Sequence, residues 1–572
     1  MGTIRPWVAV FLILVVILGL ALAVTFWTYW TLSRPPSVAQ NTIVEISLGG
    51  VLYEVPPDNP FFQVLEPDKL TLYDLWELLE LASRDNRVSS IYLEVQPLAV
   101  NWAQIEELRD GMHKFRASGK KIHAFLSLDM VGESEFYLAS AADTISINPG
   151  AGLLLNGLTA EIQFYKRSLQ KLGIKPEFIQ FKEFKSPEVY DRESMSAPIR
   201  SMLESILADM EARFVRSVAG DRKIEESVLE KIIDLGMVTA RQAVESGLVD
   251  RAGYRHEVID ELAQEAGQDE YSGMGASEYL SAARSRQPAG GRQVALIGGI
   301  GMITAGKSDT FGQTLGGSSM ARILRDVRES GKYEAVLFRV DSPGGSAVGS
   351  DMVWREVELL EKAGIPVIVS MSGVAGSGGY YISMGASTII SQPSTITGSI
   401  GVIFGKFDLG GLYDWLGIST DLVKSSPNAD LFSFSASLTS EQREQIIAWM
   451  QEIYDAFVSK AAKGRGMEFA KLEKLARGRI YTGEQAREIG LVDDTGGFPK
   501  ALAHIRQSLE LADDARIDLV HLPEPKSFWE TLSELGAVRM HQTGLIEEWL
   551  RRELPGLETA GPRLFMPEIR ID

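Results

Sequence analysis

Two segments, Thr239–Asp250 (TARQAVESGLVD) and Thr482–Asp493 (TGEQAREIGLVD), are identical at eight of twelve positions. Upstream the correspondence continues at an offset of about 244 residues, where FYLASAADTISINP from Phe136 matches YYISMGASTIISQP from Tyr380. SSIYLEVQP from Ser89 pairs with EAVLFRVDSP from Glu334, and NTIVEISLGGVL from Asn41 with RQVALIGGIGMI from Arg292. A repeat of this length means that one structural plan is used twice, so any fold proposed for one half must suit the other. Two domains are expected, 41–275 and 292–505. The small, polar stretch 276–291 reads as a linker, and 506–572 as a C-terminal extension with short amphipathic helices such as GLIEEWLRREL.

Within each half, apolar β-rich runs alternate with helical patterns. EAVLFRVD reads as a strand, GSDMVWREVELLEKAG as a helix ending at Gly364, IPVIVSMS as a strand, GGYYISMGAS as a helix and TIISQP as a strand. Such alternation implies right-handed crossovers and a mainly parallel sheet, so the fold class is α/β, twice over.

The halves are most informative where they differ. After its strand the second half has DSPGGSA, Asp341–Ala347, where the first has VQPLAVN without a glycine pair. The second half has Ser377 in VAGSGGYYIS, where the first has Glu133. Either glycine-rich segment alone could be a plain turn. Their joint presence in one half and joint loss in the other point to chemistry instead. An acyl-transfer nucleophile needs backbone N–H donors aimed at the developing oxyanion, and glycines let the chain approach closely enough to supply them. In a parallel sheet the two turns would lie side by side at the carboxyl ends of adjacent strands.

The segment Trp7–Leu32 carries no charge and is long enough to cross a ~30 Å hydrocarbon core. Trp7 at one end and Trp27, Tyr29 and Trp30 at the other suit the two membrane interfaces. A retained signal anchor (7–32) is expected, with the short amino side in the cytoplasm and the domains on the extracytoplasmic side of the inner membrane. A formal charge of -19 and no basic stripe argue against nucleic acid as a partner. With no cysteine, disulfides, thiolate catalysis and cysteine metal sites are excluded.

What could activate Ser377? None of the six histidines (His113, His123, His256, His504, His521, His541) stands in a motif, and Ala375 breaks the G-x-S-x-G pattern of an α/β-hydrolase elbow. A lysine whose pKa is lowered by desolvation is the remaining base that works near neutral pH.

DSPGG, SGVAGSGGYYIS, TITGSIGVI from Thr395 and GRIYTGEQAREIGLVD together resemble the signal peptide peptidase A family of membrane-anchored serine peptidases, in its long tandem form. The resemblance runs from the anchor to about residue 500. It implies two crotonase-like or Clp-protease-like ββα-spiral domains, a homotetrameric bowl with inward-facing sites, and a Ser/Lys dyad. Carried over, Ser377 is the nucleophile, and Lys185, in EFIQFKEFKSPEVY, is the general base. Ser399 orients that lysine, and N–H groups of Gly378 and of Gly344 or Gly345 form the oxyanion hole. The second half has Ser425 in the lysine's slot and the first has Leu155 in that of Ser399, so each half keeps one member of the dyad.

Lys182 is the natural control: on a strand, a spacing of three would send it to the opposite face from Lys185. Two departures from the family pattern are Pro187 after the Lys-Ser pair and Gly376 before the nucleophile, the latter able to loosen the turn. The implied substrates are extended apolar peptides, residual signal peptides among them, with no metal or organic cofactor. Two rivals stand beside this reading: an acyl-CoA-binding crotonase-like protein and a catalytically silent membrane scaffold.

Overall fold

The computed structural model describes residues 36–56, 69–288, 290–309 and 314–524, and the backbone of 563–565. The expected anchor, 7–32, lies outside the described residues.

Each half is built on a parallel sheet, and the strand order is the same in both. In the first the order is Gly273–Gly275, Thr42–Val51, Val88–Ala99, Lys121–Leu126, Thr144–Ile147, Arg251–Ala252. In the second it is Ile517–Leu522, Arg292–Ile300, Ala335–Ser342, Val367–Gly376, Thr388–Ser391, Asp494–Thr495. A small lateral layer repeats as well. Met130–Val131, Gly152–Leu155 and Gly236–Thr239 pair parallel and then antiparallel, as do the end of Val367–Gly376, Ile396–Gly398 and Ile480–Thr482. The central strands read as continuous apolar runs because both faces are covered: every residue of Val367–Met371 is fully buried.

Helices start where short polar side chains cap them. Asn101 and Gln104 form a capping box at the start of Trp102–Ala117, and Ser346 accepts the Gly349 N–H at 3.1 Å to open Ala347–Lys362.

Two segments differ from the reading of the sequence. The expected linker contains a helix, Ala276–Arg284, that belongs to the first half. Among its small polar residues, Tyr279, Leu280, Ala282 and Ala283 are buried, and Arg284 binds Asp74 and Glu77 at 2.5 and 2.6 Å. Four apolar residues at near-helical spacing outweighed the glycines and serines around them. Nor does the second sheet stop near residue 505: the helix Phe498–Ser508 leads into an edge strand, Ile517–Leu522, that pairs with Arg292–Ile300. GLIEEWLRREL lies outside the described residues.

The halves share a core. Val294, Leu296, Ala335, Leu337 and Ile368 of the second sheet cluster with first-half residues and with Phe498, Ala501, Leu502 and Ile505. Phe498 packs on Tyr73 and Trp76, each at 5.5 Å between ring centres, and such pairs add about 0.5–1.5 kcal/mol beyond area burial. A second seam is the antiparallel ribbon of Lys175–Ile179 with Phe404–Asp408, where Phe178 stacks on Tyr190 at 4.9 Å and Phe407 meets both edge-on. This ribbon carries the Lys185 segment into the second half.

Candidate active site

The strand Val367–Gly376 hands directly over to a short helix, Gly378–Ser383, and Ser377 is the joint. Its backbone sits at φ 56 and ψ -112, a region that costs an L-residue about 1–3 kcal/mol. The turn is held from both sides: Ser377 N–H donates to the Gly398 carbonyl at 2.8 Å, and the Ser377 carbonyl accepts Tyr381 N–H at 2.9 Å. Gly376, which could have loosened the turn, is paired with Gly398 in the sheet. Here a serine takes the sharp strand-to-helix corner on which nucleophiles are presented.

Lys185 reaches that corner from the other half. After Ile179 the chain leaves the ribbon and bends through residues 182–185, so the Lys-Ser pair is not on a strand. The two lysines still diverge, through the bend and not through strand alternation. Lys182, at φ 69, turns toward Glu473, 3.6 Å away, and over the Tyr454 ring. Lys185 points inward, 1% exposed, with Nζ 2.9 Å from Ser377 Oγ, 2.8 Å from Ser399 Oγ and 3.3 Å from the Ser399 carbonyl. Burial pushes its amine well below the ordinary lysine value. A neutral amine held by Ser399 has a lone pair free to face the Ser377 hydroxyl.

Ser399, at φ 52, is fixed in turn by its N–H donating to the Arg479 carbonyl at 2.7 Å. Next to it lies Gly478, the first residue of the GRIYTGEQAREIGLVD segment. A Cβ on Gly478, at φ 83, would stand 2.5 Å from both Lys185 N and Lys185 Cβ. Only a bare backbone lets this turn approach close against the lysine. Gly478 N–H donates to the Ile400 carbonyl at 2.8 Å, and Phe184 N–H to the Arg477 carbonyl at 3.1 Å, so the segment clamps both the lysine and the Ser399 turn.

The glycine cradle is beside the serine, as the parallel sheet requires. A Cβ on Gly378 would come 3.0 Å from Gly344 Cα and 3.1 Å from Gly345 N. Gly344 N–H already donates to Ser342 Oγ at 3.2 Å, so its role is in shaping the bend. Gly345 N and the Gly378 backbone lie close together next to the serine. The outer edge of Gly344–Ser346 carries an antiparallel partner, Arg563–Phe565 of the same chain. Ser425, in the lysine's slot by repeat, lies instead in an exposed loop. No histidine is hydrogen-bonded to Ser377 among the described residues, and no group of acidic and histidine side chains among them could hold a metal ion.

This constellation can be set against known proteins. The model of Peptidase family S49 matches residues 114–269 and 360–512, once in each half and together over more than half of the chain. The chain belongs to peptidase family S49. As an S49 member it is a serine-type peptidase. It is 33% identical to the chloroplastic serine protease SPPA of Arabidopsis thaliana over 82% of this chain and 70% of that one. Protease 4 of Salmonella typhi is 29% identical over 82% of this chain and 78% of its own length. A putative signal peptide peptidase SppA of Enterococcus faecium is 36% identical over 34% of this chain and 57% of its own. Both S49 matches fall across the two-sheet body, and Ser377, Lys185 and Ser399 lie within them.

Proposed function

We propose that this S49 peptidase is a membrane-anchored endopeptidase that hydrolyses extended apolar peptides, residual signal peptides among them, with Ser377 as nucleophile and Lys185 as general base. The observation that carries the reading is the buried Lys185 amine 2.9 Å from a serine held on a strained corner. Neutral Lys185 takes the Ser377 proton as Oγ attacks the scissile carbonyl. The oxyanion is met by the N–H groups of Gly345 and Gly378. The ammonium, retained by Ser399 Oγ and carbonyl, gives its proton to the leaving amine, and the neutral lysine then deprotonates the water that cleaves the acyl-enzyme. No metal or cofactor takes part.

Binding as an extended strand is supported by the edge of Gly344–Ser346, which already takes Arg563–Phe565 antiparallel. Each domain is assigned the crotonase-like or Clp-like spiral, from the lateral layer that repeats beside each parallel sheet. Segments 41–275 and 292–505, the latter extended by the strand to Leu522, are the two domains. The apolar segment 7–32 anchors the chain in the inner membrane with both domains on the extracytoplasmic side, where released signal peptides are at hand, and four copies form a bowl with inward-facing sites. An acyl-CoA enzyme would use similar backbone donors, but it has no need of a buried neutral lysine on a serine. A silent scaffold has no need of the strained corner.

The test is hydrolysis of a fluorogenic peptide, apolar before the scissile bond, by the detergent-solubilised chain and its variants. Ser377→Ala and Lys185→Ala should abolish turnover while Lys182→Ala leaves it. Parent-level turnover by Ser377→Ala would sink the assignment.

A further inference from the structure

The strands that lead to the two glycine turns are out of step. Val340 pairs with Met371, but two residues later Ser342 pairs with Ala375, so the nucleophile strand has absorbed two extra residues in a bulge over Ser372–Val374. Ala375 is two residues before the nucleophile, so the shape of the bulge sets where Ser377 arrives. Asp341 holds it from the adjacent strand, accepting Val374 N–H at 2.9 Å. The other contacts come from the lysine-bearing half. Ser372 Oγ donates to Glu54 at 2.5 Å, and a Cβ on Gly373 would strike the Asn101 side chain at 2.4 Å.

Glu54 is 3% exposed, in the turn after the first strand of the first sheet. Its Oε1 accepts from Ser372 Oγ and, at 2.6 Å, from Gln104 Nε2. Its Oε2 accepts from Arg339 Nε at 2.9 Å. Arg339, fully buried on the strand that runs into the DSPGG turn, donates also to Glu107 at 3.1 Å and to Ser370 Oγ at 2.7 Å. One carboxylate of the first half therefore touches both strands that deliver the second half's turns.

We propose that Glu54 is a positioning residue for Ser377: it fixes the bulge through Ser372 and the neighbouring strand through Arg339, and so sets the nucleophile in register with the lysine its own half supplies. The proposal rests on the Ser/Lys reading above. A buried carboxylate with three charged or polar partners suits this task, because shifting it would leave Arg339 without a counter-charge on that side. Misplacing a reacting group by about 1 Å can cost about 100-fold in rate, so a small relaxation of the bulge is enough to register.

The experiment uses the full chain in detergent, with Ser372→Ala, Glu54→Gln and the double variant. Three quantities are read: kcat and KM on the apolar fluorogenic peptide, the rate at which a fluorophosphonate labels Ser377, and the melting temperature. Ser372→Ala removes one hydroxyl and leaves Glu54 and Arg339 paired. It should lower kcat and the labelling rate together, by about tenfold, with KM within about twofold of the parent. Glu54→Gln should cost more, and the double variant should be no worse than Glu54→Gln alone, because the two act through one contact. Labelling within twofold of the parent in Ser372→Ala overturns the proposal, as does a kcat loss that only follows the fraction unfolded. Should Glu54→Gln not fold, Ser372→Ala decides alone. Failure of the Ser/Lys reading itself would look different: Ser377→Ala would keep the parent's turnover.

Discussion

The two halves place the same strands in the same order and then fill the same corner with opposite chemistry. In the second half the corner residue is Ser377, strained at φ 56, with a lysine amine against it. In the first half Glu133, which matches Ser377 by repeat, is already the first residue of the helix Glu133–Ser140, and the N-cap Gly132 has an ordinary φ of -82. The Glu133 carboxylate accepts Asn156 N–H at 2.6 Å and Gly157 N–H at 3.0 Å, while Glu135 accepts Leu98 N–H at 2.9 Å. Backbone donors at the ends of these strands are thus occupied by the chain's own carboxylates. Leu155, at the position of Ser399, is fully buried in the core. At this corner a strained serine and a pair of close-packed glycine turns occur together in one copy and are absent together from the other, as expected if strain is kept where a reaction uses it.

The sharpest way to break this contrast is to remove its active members. Ser377→Ala and Lys185→Met should each lower kcat/KM on the apolar peptide by about 10³-fold or more, measured by fluorescence release. Next in size is Gly478→Ala, whose methyl would meet the Lys185 backbone at 2.5 Å in a left-handed conformation. It should reduce kcat by about 100-fold while leaving the fold intact by circular dichroism. Ser399→Ala should cost about 10- to 100-fold, with the alkaline-rising limb of the kcat/KM profile displaced, because the lysine loses a partner at 2.8 Å.

Acidity gives a fourth test. The Lys185 amine is held below its ordinary value of 10.5 by burial, so activity should rise with pH through that depressed value and then level off. Between the folded and unfolded values the unfolded chain binds the extra proton, so stability also rises with pH across that window. At pH 7 Lys185→Met should therefore be more stable than the parent in denaturant titration, and the gap should close as the pH rises toward 10.5. The smallest effect on activity belongs to the silent corner. Glu133→Ala should leave turnover within about twofold while destabilising the chain by about 1–3 kcal/mol in denaturant titration, since two N–H groups lose their acceptor.

What was readable in the sequence was what repeats locally. Strands such as EAVLFRVD and IPVIVSMS stand where their apolar runs put them, and the two glycine turns meet beside each other because a parallel sheet leaves them no other place. What was unreadable depended on distant partners. Glu54 and Arg339 are 285 residues apart, and nothing near either one announces a buried pair. Gly478 opens the GRIYTGEQAREIGLVD segment, yet its purpose is visible only once the Lys185 backbone lies against it. The helix at Ala276–Arg284 was hidden by composition, and the bend at 182–185 by a strand that ends early.

The lysine and the serine are 192 residues apart in the chain. During synthesis from the amino end the base emerges first, the nucleophile much later, and the glycine that seats the lysine about a hundred residues after that. A ribosome-bound or truncated chain thus lacks a working centre however well its first half has folded. Peptidase activity is thereby withheld until both halves have been made and joined, so the order of synthesis itself acts as a safeguard.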